Sequence, residues 1–131
     1  MINTDIYNYV NILDKAADAA NLRNELLANN IANSDTPDYK RKDINFEALL
    51  QMELGGGKTL KKSVDMANED LSVLDPQVYT DNASLSYRLD GNNVDIASEE
   101  AYLAQNQIKY QTLVDLMSQE FSRYKSVLNS N

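Results

Sequence analysis

The side chains with which this chain can do chemistry are carboxylates, lysines and hydroxyls, because it holds no histidine, cysteine or tryptophan. Acid–base or nucleophilic work with that set needs convergent pairs, and the acidic residues fall mostly on turns and polar helix faces. A zinc site would have to be built from carboxylates alone, against that ion's preference for nitrogen and sulfur, and no disulfide can form. The stretch Gly55-Gly56-Gly57-Lys58-Thr59 matches the end of a phosphate-binding loop, G-x-x-x-x-G-K-S/T, in its last three residues. The first glycine of that pattern falls on Met52, and no buried β-run leads into it. The glycines read instead as a flexible linker over 54–62, solvated by Lys58, Lys61 and Lys62. These residues point away from an enzyme and imply neither cofactor nor metal.

The charge balance narrows the partners. Twenty acidic against twelve basic residues give a net charge of -8, which argues against nucleic acid, since phosphate binding needs a basic surface. The basic run Lys40-Arg41-Lys42 reads as a solvated turn. Residues 1–20 carry Asp5, Asp14 and Asp18 and no apolar run of the length a cleaved signal peptide needs, and no later stretch is long enough to cross a membrane. Taken alone, this describes a soluble cytoplasmic protein of one domain.

Two stretches have the periodicity to position anything. Ile6, Val10, Leu13, Ala17, Ala20, Asn24, Leu27 and Ile31 step by four and three, a heptad seam whose alanines permit close helix approach and whose Asn24 is a polar interruption. Pro37 stops it, because proline lacks an amide hydrogen and pushes Thr36 toward extended backbone, so the helix ends near Ile31 to Asn33, with Asn33 as a left-handed cap. Leu103, Gln107, Tyr110, Val114, Met117, Phe121, Tyr124 and Leu128 form a second seam. Asp95 or Asn93 caps its start, Glu99 and Glu100 complement the helix dipole, and Asn106, Gln107, Tyr110 and Gln111 suggest hydrogen-bonded contacts in its first half. Helices of about 24 and 32 residues are roughly 36 and 48 Å long, so an antiparallel hairpin leaves part of the longer stripe uncovered.

Between the seams, Asp43-Ile44-Asn45-Phe46-Glu47-Ala48-Leu49-Leu50 reads as extended and then a short helix. Residues 63–92 are the least regular. There Val78–Thr80 is expected to pair with the alternating run Leu85-Ser86-Tyr87-Arg88-Leu89 in a short hairpin, before a turn at Asp90-Gly91. The predicted fold is mainly α: two long N- and C-terminal helices packed as an antiparallel coiled-coil hairpin, with an irregular middle containing a short β-hairpin. Its parts are 1–36, 37–92 and 93–131.

The segment Leu27-Ala28-Asn29-Asn30-Ile31-Ala32-Asn33, with Thr36, Pro37 and Tyr39, resembles the signature of flagellar axial proteins, the rod, hook and hook-associated subunits, written around L-A-N-N-I-A-N-x-x-T-x-G-Y. Asp38 stands where that family has glycine, and aspartate tolerates a positive φ better than most residues. Leu89-Asp90-Gly91-Asn92-Asn93-Val94-Asp95, followed by Glu99 or Glu100, Asn106, Tyr110 and Phe121-Ser122, resembles the C-terminal half of the short proximal rod members. The resemblance implies a structural subunit of the rod, exported without a cleaved signal and assembled helically through its terminal helices. It implies as partners other rod subunits, the rod-to-ring adaptor protein and the export gate, with self-association.

On that reading the assembly interface comprises Val10, Leu13, Ala17, Asn24, Leu27, Asn29, Asn30, Ile31 and Asn33 on the first helix. On the second it comprises Leu103, Asn106, Tyr110, Val114, Met117 and Phe121. Phe46 and Leu50 are the export-gate candidates, with core packing as their competing role. Asn30→Leu is expected to weaken assembly more than helicity. The heptads alone fit a cytoplasmic coiled-coil adaptor or chaperone equally well, and the family signature also fits a sister rod subunit.

Overall fold

A computed structural model describes residues 5–56, 59–82 and 88–130. Helix α1 spans Asp5–Ala32 and α4 spans Ile96–Asn129. Between them lie β1 (Lys42–Ile44), α2 (Phe46–Leu54), α3 (Leu60–Glu69), a 3-10 turn at Leu71–Leu74 and β2 (Val78–Thr80). The long helices form the expected antiparallel hairpin. Near its open end the rings of Tyr7 and Tyr124 meet edge to face with centroids 5.5 Å apart. At mid-length the Asn106 amide donates to the Ala20 carbonyl at 2.6 Å and to Asn24 Oδ1 at 2.8 Å. Asn30 of α1 reaches Glu99 in the first turn of α4.

The cap signals act as read at one end and not at the other. Asp95 starts α4 by accepting hydrogen bonds from the Ala97 and Ser98 amides, groups that have no partner inside the helix. The left-handed residue after α1 is Asp38, with φ 59°, and not Asn33. Asn33 instead ends the helix by donating its amide to the carbonyls of Asn29 and Asn30 and its side chain to Asn29 again.

Helix α1 buries two faces where the periodicity showed one. The stripe containing Val10, Ala17, Ala20 and Leu27 is buried and meets α4 through Ala20 and Asn24. On the other side Ile12, Ala16 and Ala19 join Ile44, Phe46, Val64, Ala67 and Leu74 in the main apolar cluster, flanked by Leu22, Leu26, Leu50, Leu54 and Leu71. The middle of the chain is therefore a layer packed on α1. Asn8 and Asn11 fasten it by donating to Asp65 and Asn68 of α3 at 2.9 and 2.8 Å.

That layer is more regular than the sequence suggested. Residues 63–74 hold most of α3 and the whole 3-10 turn, with Ser63, Val64 and Ala67 turned inward. The two-stranded antiparallel sheet joins Val78–Thr80 to Lys42–Ile44, in the register Ile44 with Val78 and Lys42 with Thr80. The predicted partner at 85–89 falls for the most part, at 85–87, outside the described residues. Ala83 to Tyr87 lie outside the described residues, as do Gly57 and Lys58 of the linker.

The inward face of α4 also differs from the predicted seam. Glu99 and Asn106 are buried, and Leu103, Leu113, Met117, Glu120 and Tyr124 are half-buried, whereas Gln107, Phe121 and Leu128 are exposed. The two series share Leu103, Met117 and Tyr124 and differ by one residue at the alternate positions, and the seam's Tyr110 is exposed. A charged and an amide side chain, Glu99 and Asn106, occupy inward positions that an apolar template skips.

Candidate functional site

The signature and the C-terminal run come together at the closed end of the hairpin, where α1 turns into β1 and α4 begins. Glu99, 1% exposed, projects from α4 into this junction. Its carboxylate accepts from Arg41 Nε and, at 3.5 Å, from Arg41 Nη2. Arg41 also donates to Asp43 Oδ2 and Asp81 Oδ2, each at 3.1 Å. Arg23 of α1 holds the same Asp43 through two bonds of 2.8 and 3.1 Å. Tyr102 stacks beside both guanidinium groups, each 5.8 Å from its ring centre. Two arginines thus share three carboxylates, and the fork geometry of guanidinium lets each span more than one oxygen.

Asn30 completes the junction. It is 0% exposed. Its Nδ2 donates to the Lys42 carbonyl at 2.8 Å and to Glu99 Oε2 at 3.0 Å, while its Oδ1 accepts from the Lys42 amide at 2.9 Å and the Tyr39 hydroxyl at 3.1 Å. Every donor and acceptor of the amide is used within the chain.

Asn92 does the same for the turn. Its Nδ2 donates to the carbonyls of Asn33, Ser34 and Thr36, all at 2.9 Å, and its Oδ1 accepts from the Val94 amide at 2.8 Å. Asn93 accepts from the Arg41 amide at 2.8 Å and donates its own amide to the Tyr39 carbonyl at 3.3 Å. Gly91, at φ 76°, lies against the Asp38 side chain, which a Cβ would meet at 2.4 Å.

The electrostatics favour the ionised state. Burial pushes the Asp43 carboxyl up, but hydrogen bonds from Arg23, the Ile44 amide and Arg41 outweigh it and hold the group below the ordinary carboxylate range. For Arg41, burial works against the charge and the Glu99 contact more than restores it. Burial, then the charge of Glu99, raises the Tyr39 hydroxyl. A carboxylate with a depressed folded pKa contributes stability that is complete above its unfolded value and lost as pH falls through the folded one. Urea midpoints are therefore expected to fall below about pH 4, and Asp43→Asn is expected to reduce that slope. An unchanged slope in the variant would remove Asp43 as a source of the acid sensitivity.

Chemically this is a satisfied junction. Among the described residues only Ser63 Oγ is a buried side-chain polar atom without a partner, and no group of three His, Cys, Asp or Glu residues is placed to hold a metal.

The predicted site residues divide by depth. Val10, Ala17, Leu27, Asn30 and Asn106 are buried within the chain. Leu13, Asn24, Ile31, Asn33, Leu103, Val114 and Met117 are half-buried, and Asn29, Tyr110 and Phe121 are exposed. Phe46, 3% exposed, sits in the apolar cluster with Leu50 packed against it. Asn106 makes the hydrogen-bonded contact its polarity suggested. Arg41 is a correction: it lies buried in the junction, not in a solvated basic turn. Sequence reading also missed Arg23, Asp43, Asp81 and the role of Glu99. Only Glu99 carried a signal, four residues before Leu103 and seven before Asn106 on one helix face.

No protein-family model matches the chain. Similarity to known proteins nonetheless runs along most of its length. It is 42% identical over 118 residues to the flagellar basal body rod protein FlgB of Bacillus subtilis (strain 168), covering 88% of this chain and 89% of that one. It is 33% identical over 128 residues to the protein of the same name in Borrelia hermsii, covering 91% and 94%. The corresponding protein of Escherichia coli (strain K12) is 34% identical over 115 residues, covering 82% and 83%. With the signature, the hairpin and this breadth of identity together, the chain belongs to the family of the flagellar basal body rod protein FlgB.

Proposed function

We propose that the chain is a structural subunit of the proximal rod, exported through the flagellar type III apparatus without a cleaved signal peptide and assembled through its terminal helices. Its partners on this reading are other rod subunits, the rod-to-ring adaptor protein, the export gate and further copies of itself. The observation that carries it is the exposed apolar side of α4, where Phe121 is 52% and Leu128 54% exposed in a chain whose relatives are rod proteins. Among the described residues no helix is long and apolar enough to cross a membrane, and the acidic surface suits no nucleic acid.

The arrangement suits an open assembly. A groove of about 440 Å³ between the layer and the hairpin is lined by Tyr9, Leu13, Leu54, Leu60 and Leu116, with Arg123 at its edge. At 100° per residue, Phe121 lies about 140° around α4 from Leu116. Patch and groove therefore occupy different flanks, and a contact between unlike surfaces propagates into a helical array rather than closing a dimer. Of the proposed interface residues, Asn29, Tyr110 and Phe121 would reach neighbouring subunits directly, and the buried members would shape the wall behind them. Phe46 and Leu50, being packed in the fold, would be open to the export gate only in the unfolded chain.

Phe121→Asp is expected to leave the unfolding free energy within about 0.5 kcal/mol, as for other surface changes, while abolishing rod formation and swimming in a strain carrying it as the sole copy. Circular dichroism melts, electron microscopy of basal bodies and soft-agar spreading measure the three quantities. Normal rods and normal spreading would overturn the assembly role of this flank.

A further inference from the structure

The turn after α1 is held largely by distant sequence. Local bonds fix its first part, from the Asn33, Ser34 and Thr36 amides and again from Tyr39. Asn30 and Arg23 of α1 add Tyr39, Lys42 and Asp43, Arg41 reaches Asp81, and most of the turn's remaining contacts go to residues 90–99. The Asp38 amide donates to the Asp90 carbonyl at 2.7 Å, the Arg41 amide to Asn93 Oδ1, and the Lys40 ammonium to the Gly91 carbonyl. Asn92 covers three carbonyls of the turn, and Glu99 takes Arg41 and Asn30. Strand β1, next in the chain, has three residues, and its sheet partner β2 has three, too few to persist alone.

We propose that residues 90–99 form a latch that sets the order of folding: the turn 33–41 and β1 become native only when this segment docks. The physical ground is loop closure. A gap of some fifty residues must be closed before any of these bonds forms, and once it closes they form together because they share Asn92, Asn93 and Glu99. Within the segment, Asn92 holds the Val94 amide just before α4, and Asp95 holds the Ala97 and Ser98 amides of its first turn. A chain emerging N-terminus first would keep its first eighty residues without the native turn until the last third is free. This inference does not depend on the rod reading.

The test is hydrogen exchange on the full-length chain, read residue by residue. In refolding with pulse labelling, the amides of Asp38, Arg41 and Ile44 are expected to gain protection in the same kinetic phase as Asn93 and Glu99. Under native conditions Asn92→Ala is expected to speed exchange at Asp38, Arg41, Ile44 and Glu99 together, by tenfold or more. Protection of Asp38, Arg41 and Ile44 ahead of Glu99 during refolding would overturn the latch. So would an Asn92→Ala effect confined to Val94 and residues 33–38. Because the refolding arm uses the unaltered chain, it decides the matter even where the variant fails to fold.

Discussion

Glu99→Ala is expected to lower the free energy of unfolding by roughly 3–5 kcal/mol, the range for removing one partner of a buried ion pair. Domains of this size hold about 5–15 kcal/mol in total, so the loss is a large share of the whole. The reason is what remains behind. Arg41, with a side chain 11% exposed, loses the carboxylate that its Nε and Nη2 address, and Asn30 loses the acceptor of one of its amide hydrogens. Arg41→Met together with Glu99→Ala removes both charges at once. That double variant should be more stable than the sum of the single losses implies, because Arg41 no longer stays buried without Glu99, while Asp43 keeps its pair with Arg23. Urea unfolding of the four proteins closes the cycle. Simple additivity would mean that Glu99 and Arg41 do not act as a pair.

Asn30→Leu is expected to act on the fold before it acts on assembly, which reverses the order suggested by the signature alone. The change leaves the Lys42 amide and the Tyr39 hydroxyl without their acceptor and Glu99 and the Lys42 carbonyl without their donor. A buried polar group without a partner costs about 1–3 kcal/mol, so even two such groups give a loss of several kcal/mol. Asn29→Leu, one residue away and exposed, should change stability by no more than about 0.5 kcal/mol. Thermal melts of the two variants separate the roles. Equal melting temperatures would mean that the signature amide is not what holds β1 to α1.

Which parts of this molecule were legible follows from which interactions are local. The hairpin was readable because α1 and α4 each carry an apolar repeat over many turns, and because Pro37 and Asp95 mark a stop and a start. Helix α3 was hidden by its brevity and by Lys61 and Lys62, although Thr59 accepts a hydrogen bond from the Lys62 amide as a cap should. The second buried face of α1 was obscured because Ala16 and Ala19 weigh little in any apolar pattern. The junction was unreadable for a different reason. Arg41 and Glu99 are fifty-eight residues apart, and in a single sequence a basic residue between two lysines carries no sign of the carboxylate it will meet.

Burial of α1 on two sides leaves it a narrow outer ridge of Asp14, Asp18, Asn21 and Glu25, all exposed. In a chain without cysteine, one thiol introduced at Asp18 or Glu25 would be uniquely reactive and clear of the α4 contact, the apolar cluster and the junction. A spin label or fluorophore there would report the approach of a neighbouring subunit without disturbing the surfaces that build the fold. The helix with least freedom to vary is thus also the one that offers the cleanest place to watch the protein from outside.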